Sequence, residues 1–132
     1  MYTSYASLYA QGNLFSGDSH KTNEGLDPTL STEMFLKIAA DAYAGDVPLN
    51  DPRVSPLFGE FNGDFPPTVV TTGTRDILLS DCVRLIDKLR DVDVETDLQI
   101  ADGMWHVYEW DPLLPETGRS LRRLCKTLLK YK

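Results

Sequence analysis

The chain has 132 residues, 42% of them apolar, and a formal charge of −7 at pH 7. It has room for one domain at most, its apolar share is too high for a compositionally disordered chain, and its acidity argues against non-specific nucleic-acid binding. No stretch approaches the length that spans a bilayer and no basic segment leads a long apolar run at the N-terminus, so a cytoplasmic location is expected.

Met1 to Leu14 is rich in tyrosine and serine, has no clear period and carries no structural assignment. Phe15 to Pro28 is a loop by composition, being rich in Gly, Ser, Asp and Asn. Within it, Gly17-Asp18-Ser19 is followed by His20 and Lys21 rather than by small residues and has no strand-like run before it, so Ser19 reads as a loop serine. Ser31 caps a predicted helix running to about Ala44. Met34, Phe35, Ile38, Ala39 and Ala42 form its core-facing stripe and Gly45 stops it. Gly45 to Pro67 contains five prolines and three glycines and reads as a long irregular connection, in which Asp51 and Arg53 are expected to pair structurally.

The most ordered pattern lies between Thr68 and Val107. Thr68 to Thr72 is a run of β-branched residues after two prolines, which predicts a strand buried on both faces. Ser80 is placed to cap a helix with Cys82, Leu85, Ile86 and Leu89 on its apolar face and Arg84, Asp87, Lys88 and Arg90 in water. Asp81 falls in its first turn, where a carboxylate suits the helix dipole. Val94, Thr96, Leu98 and Ile100 then alternate with Glu95, Asp97 and Gln99, as a strand with one wetter face does.

A strand, a crossover helix and a second strand form a right-handed unit with parallel strands, so both carboxyl ends lie on one sheet edge. Asp76 follows the first strand and His106 the second. Parallel neighbours are about 4.8 Å apart, which brings an acid within reach of a base at the edge where open α/β sheets bind ligands. A carboxylate that accepts an imidazole N–H fixes the tautomer and stabilises the imidazolium formed on proton uptake. The plainer alternatives are that Asp76 only caps the following turn and that His106 is a satisfied loop histidine.

Pro115, Glu116 and Thr117 open the last helix, at about 116–130, with Leu121, Leu124, Cys125 and Leu128 as its buried stripe. Arg119, Arg122, Arg123, Lys126, Lys130 and Lys132 follow the last acid, Glu116, and read as a solvated face complementing the helix C-terminus. Cys82 and Cys125 both fall on apolar faces and are expected as buried, reduced thiols. His106 and Glu109 have metal-compatible spacing but no third ligand, so neither a metal nor a cofactor is expected. Trp105, Tyr108 and Trp110 are expected as wall and packing residues.

Taken in order, Asp51-Pro-Arg-Val-Ser-Pro-Leu-Phe-Gly59, Pro66-Pro67, Gly73-Thr-Arg-Asp76-Ile-Leu-Leu-Ser-Asp81 and Asp102-Gly-Met-Trp-His106-Val resemble the C-terminal third of an α/β-hydrolase. The family is that of the hormone-sensitive-lipase-like esterases, and the resemblance covers about Phe15 to the C-terminus. Trp105 departs from it, standing where the family often has proline. The resemblance implies an α/β fold, here a partial α/β-hydrolase fold comprising its last two parallel core strands with flanking helices, the core unit at about 67–107. It implies a carboxylic-ester hydrolase with Asp76 as triad acid and His106 as triad base, in the order Ser, Asp, His.

The family's Gly-x-Ser-x-Gly elbow and His-Gly-Gly motif are absent from these 132 residues. The chain is therefore expected to be a C-terminal portion of a longer esterase, inactive alone, acting on a small acyl-ester substrate once completed by an N-terminal part. The alternative is a non-catalytic interaction module that associates through its edge strand. The resemblance also implies a homodimer through the strand at 94–100, since an unpaired edge templates strand addition.

Overall fold

A computed structural model describes residues 17–31 and 35–131. The expectations placed on Met1 to Leu14, on Phe15 and on Met34 lie outside the described residues. In chain order the elements are helix α1 (Asp18–Thr22), helix α2 (Lys37–Ala44), a 3-10 turn (Pro56–Phe58), strand β1 (Thr68–Gly73), helix α3 (Leu79–Arg90), strand β2 (Thr96–Ala101), a 3-10 turn (Tyr108–Trp110), helix α4 (Pro115–Leu128) and a final 3-10 turn (Leu129–Tyr131).

β1 and β2 pair in parallel, with Thr68 opposite Thr96 and Gly73 opposite Ala101. Opposed residues share a face and neighbours alternate. Val70 packs with Leu57, Leu85, Leu89 and Val94, so its face of the sheet meets α3. Asp97 lies on the other face and accepts the Thr127 hydroxyl of α4 at 3.1 Å. The two helices thus cover opposite faces of the pair. The β1 side chains are only half-buried from Thr68 to Thr71, contrary to the expectation of burial on both faces, and Ile100 of β2 is 45% exposed. With two strands among the described residues, each strand has a neighbour along one edge only.

The predicted apolar face of α3 is the observed one: Cys82, Leu85, Ile86 and Leu89 are all buried. Arg84, Asp87 and Arg90 are exposed, while Lys88 is half-buried and reaches the Leu57 carbonyl at 2.9 Å. Ser80 is not its cap. The N-cap position is Leu78, and Ser80 sits inside the first turn, its N–H donating to Ser19 Oγ at 2.9 Å.

Three other expectations change. The segment expected as a loop at 15–28 contains α1, which anchors inward through buried Ser19 and His20. In α2 the buried residues are Ala40 and Ala44, continuing a line from Leu36, whereas Phe35, Ile38 and Ala42 are exposed. Apolar side chains occur on both sides of this helix, so the apolar pattern alone does not select the face; the buried line runs four residues apart, with Ala40 and Ala44 packed on Val54. Ser31 donates its hydroxyl to Glu24 Oε1 and its carbonyl accepts the Phe35 and Leu36 N–H groups at 3.1 and 3.0 Å, and Gly45 ends the helix at φ 56° as expected. In α4 the buried residues are Thr117 and Ser120, with Leu121 and Cys125 exposed. Polar ties decide that phase, since Thr117 Oγ1 donates to the Asp111 carbonyl at 2.7 Å and Ser120 Oγ to Glu109 Oε1 at 2.9 Å.

Candidate active site

Asp76 leaves the end of β1 in a turn closed by its own N–H to the Gly73 carbonyl, 3.1 Å. It is 2% exposed. Its Oδ2 accepts the Thr72 hydroxyl at 2.7 Å and its Oδ1 accepts the Leu78 N–H at 2.8 Å, so both oxygens are held by neighbours in the same turn. Ile77 and Leu78, which follow Asp76, pack with Leu30 and Leu36 in a buried apolar cluster.

His106 follows β2 after a tight loop at Asp102–Trp105. Its side chain is 15% exposed, and Nδ1 lies 3.5 Å from Asp76 Oδ1. That separation is within ion-pair reach and longer than a formed hydrogen bond. The sequence thus brings together the acid and base it was expected to bring together, with the acid buried and the base opening to solvent. Val107, directly after the histidine, takes a left-handed backbone at φ 49°, an uncommon conformation for a β-branched residue.

The two loops are stitched along their length. Thr74 N–H donates to the Ala101 carbonyl at 3.0 Å and Arg75 N–H to the Met104 carbonyl at 2.8 Å. Thr74 Oγ1 accepts the Gly103 N–H at 2.8 Å. From the other side comes the segment containing α1. Asn23 donates from its amide nitrogen to the carbonyls of Thr74, at 3.1 Å, and Asp76, at 2.8 Å.

Ser19 lies in a helix, not in a loop, and is 4% exposed. Its hydroxyl donates to the Ile77 carbonyl at 2.8 Å and accepts the Ser80 N–H, so it serves the start of α3 as a cap supplied from a distant segment. Beside it, His20 Nε2 and Asp81 Oδ2 lie 2.6 Å apart with both side chains buried, and Arg84 approaches the other Asp81 oxygen at 3.7 Å. Neither the serine nor this second histidine–carboxylate pair was legible as such, because each partner lies about 60 residues away.

Burial, and next the charge of Asp76, push the Cys82 thiol from 9.0 up to about 12, which keeps it protonated and inert. Burial also raises the Tyr108 hydroxyl. Tyr108 is buried, Trp105 is half-buried and Trp110 is 83% exposed, so Trp110 is not the packing residue it was expected to be. Asp51 and Arg53 form the expected pair, two hydrogen bonds at 2.9 and 2.8 Å. The hydrogen bond from Arg53 holds the Asp51 carboxyl at about 2.

The sequence matches the alpha/beta hydrolase fold family over residues 4–110. It is 33% identical over 107 residues to an esterase of Acinetobacter venetianus, covering 80% of this chain and 35% of that protein. To a triacylglycerol lipase of Mycobacterium tuberculosis it is 36% identical over 76 residues, covering 58% of this chain and 17% of that one. Among solved structures, esterase E25 superposes with a TM-score of 0.81 at 43% identity, over 86% of this chain and 35% of that chain. An esterase from the bacterial hormone-sensitive lipase (HSL) family gives 0.80 at 32% identity, over 92% and 40%. The chain therefore spans roughly a third of the length of its esterase relatives. A parallel pair with an acid after one strand and a histidine after the next, matched over most of its length by these proteins, belongs to the α/β-hydrolase fold family, among its hormone-sensitive-lipase-like esterases.

Proposed function

We propose that this chain supplies the acid and the base of a serine carboxylic-ester hydrolase, Asp76 orienting His106, and that the nucleophile and oxyanion donors come from residues outside it. The single observation that carries the reading is the Asp76 carboxylate, fixed by Thr72 and Leu78 and set 3.5 Å from His106 Nδ1. With its proton on Nδ1 facing Asp76, His106 presents Nε2 to accept the proton of a serine as that serine attacks the acyl carbon. It returns the proton to the leaving alcohol, and water then repeats the cycle on the acyl-enzyme. The substrate on this reading is a small acyl ester. Alone, the 132 residues give background turnover. Two unpaired cysteines support a cytoplasmic setting, and no helix among the described residues is long and apolar enough to cross a membrane.

The test joins this chain to the part of esterase E25 that precedes the matched region and measures hydrolysis of a short-chain p-nitrophenyl ester. His106→Ala is expected to lower kcat at least about 10³-fold and Asp76→Asn roughly 10²- to 10⁴-fold. Full activity in either variant rejects the assignment.

A second reading, association through β2, is favoured by the exposed Ile100 on a strand that, among the described residues, is paired along one edge only. On this reading the chain is a homodimer through 94–100, and Leu98→Pro converts it to a monomer by light scattering. An unchanged dimer rejects that interface.

A further inference from the structure

Asp27 lies outside the residues named so far and is 5% exposed. Its two carboxylate oxygens have different tasks. Oδ1 accepts the Thr29 N–H at 2.8 Å, the Thr29 hydroxyl at 2.7 Å and the Leu30 N–H at 3.2 Å, the local turn that an aspartate before proline commonly makes. Oδ2 takes no part in that turn. It accepts the Ile77 N–H at 3.3 Å and the His106 N–H at 3.1 Å, from positions 50 and 79 residues away. One oxygen therefore holds the main chain of the histidine and the main chain of the residue after Asp76.

We propose that Asp27 is a positioning residue for the acid–base pair, setting the separation of Asp76 and His106 by gripping both of their loops with a single carboxylate oxygen. The inference rests on the acid–base reading above. A turn-forming aspartate needs only Oδ1, which leaves the second oxygen for a long-range tie, and at 5% exposure that tie is sheltered from solvent. Bonds from N–H groups to a carboxylate are about twice as strong as neutral ones, so one acceptor can restrain two loops at once. The strands alone do not fix the pair, since the side chains stand on loops beyond the last ladder residues, Gly73 and Ala101.

The experiment uses the intact chain, with NMR hydrogen exchange read residue by residue and the nitrogen shifts of the His106 ring read beside it, in wild type, Asp27→Ala, Asp27→Asn and Asp76→Ala. Asp27→Ala is expected to speed exchange of the His106 and Ile77 amides roughly 10- to 100-fold while the β1–β2 ladder amides change little, and to blur the preference of the His106 ring for one tautomer. If Asp27→Ala fails to fold, Asp27→Asn carries the test. Its neutral oxygen serves only one of the two groups of donors, and exchange at His106 rises at least about 5-fold. Uniform acceleration of all amides, or ring signals identical to wild type in both Asp27 variants, overturns the proposal. Should Asp76→Ala also leave the ring signals unchanged, the acid–base reading fails and the role of Asp27 with it; ring signals that respond to Asp76→Ala but not to Asp27 overturn the inference alone.

Discussion

Gly73 and Met104 approach so closely that a Cβ on the glycine would stand 2.0 Å from the Met104 carbonyl oxygen and 2.3 Å from its carbon. The loop that delivers His106 crosses directly over the last residue of β1, with Arg75 N–H on that same carbonyl at 2.8 Å. Only a residue without a side chain leaves room for this crossing.

Gly73→Ala therefore forces the His106 loop away from the Asp76 turn. Overpacking against rigid backbone costs about 1–3 kcal/mol or more, and urea denaturation is expected to show a loss of at least about 2 kcal/mol. A variant as stable as wild type would mean that the loop has another position available.

His20→Ala should be among the most damaging substitutions away from the acid–base pair. Among the described residues it leaves the buried Asp81 carboxyl with only the 3.7 Å approach of Arg84, and stripping a buried polar group of its hydrogen-bond partner costs about 1–3 kcal/mol. It also unpins α1 from the start of α3, which Ser19 then holds alone. The same denaturation measurement checks it, and a loss under about 1 kcal/mol contradicts the burial argument.

The two thiols should separate cleanly. At about pH 8 a thiol reagent is expected to modify exposed Cys125 in the folded chain and Cys82 only after unfolding. Because burial raises the folded Cys82 thiol from 9.0 to about 12, the unfolded chain holds fewer protons between those values. The stability this group contributes is complete below about pH 9 and falls by up to about 1.4 kcal/mol per pH unit as pH rises toward about 12. Cys82→Ala should flatten that part of the stability profile, and identical slopes in the two proteins would contradict the shift.

The parallel unit was legible because periodicity and chain order agree in it: β-branched residues, a helix with one clean apolar face, and a second alternating run. Asp76 and His106 were legible for the same reason, since topology alone sends both to one edge. What escaped were features set by distant partners. Ser19, His20 and Asp27 each act on residues 50 or more positions away, and no local pattern distinguishes them from loop residues. The faces of α2 and α4 were misread where apolar residues are spread around the helix or where polar ties to the 108–111 segment turn Thr117 and Ser120 inward.

The most direct test of the central claim is the tautomer of the His106 ring, read from its nitrogen shifts at about pH 9, where an ordinary imidazole is neutral. If Asp76 orients His106, the proton resides on Nδ1 in the wild-type chain, and Asp76→Ala shifts the ring toward the Nε2–H form while the β1–β2 amide signals stay in place. A ring that holds its proton on Nε2 in the wild type, or that is indifferent to the loss of Asp76, would contradict the account.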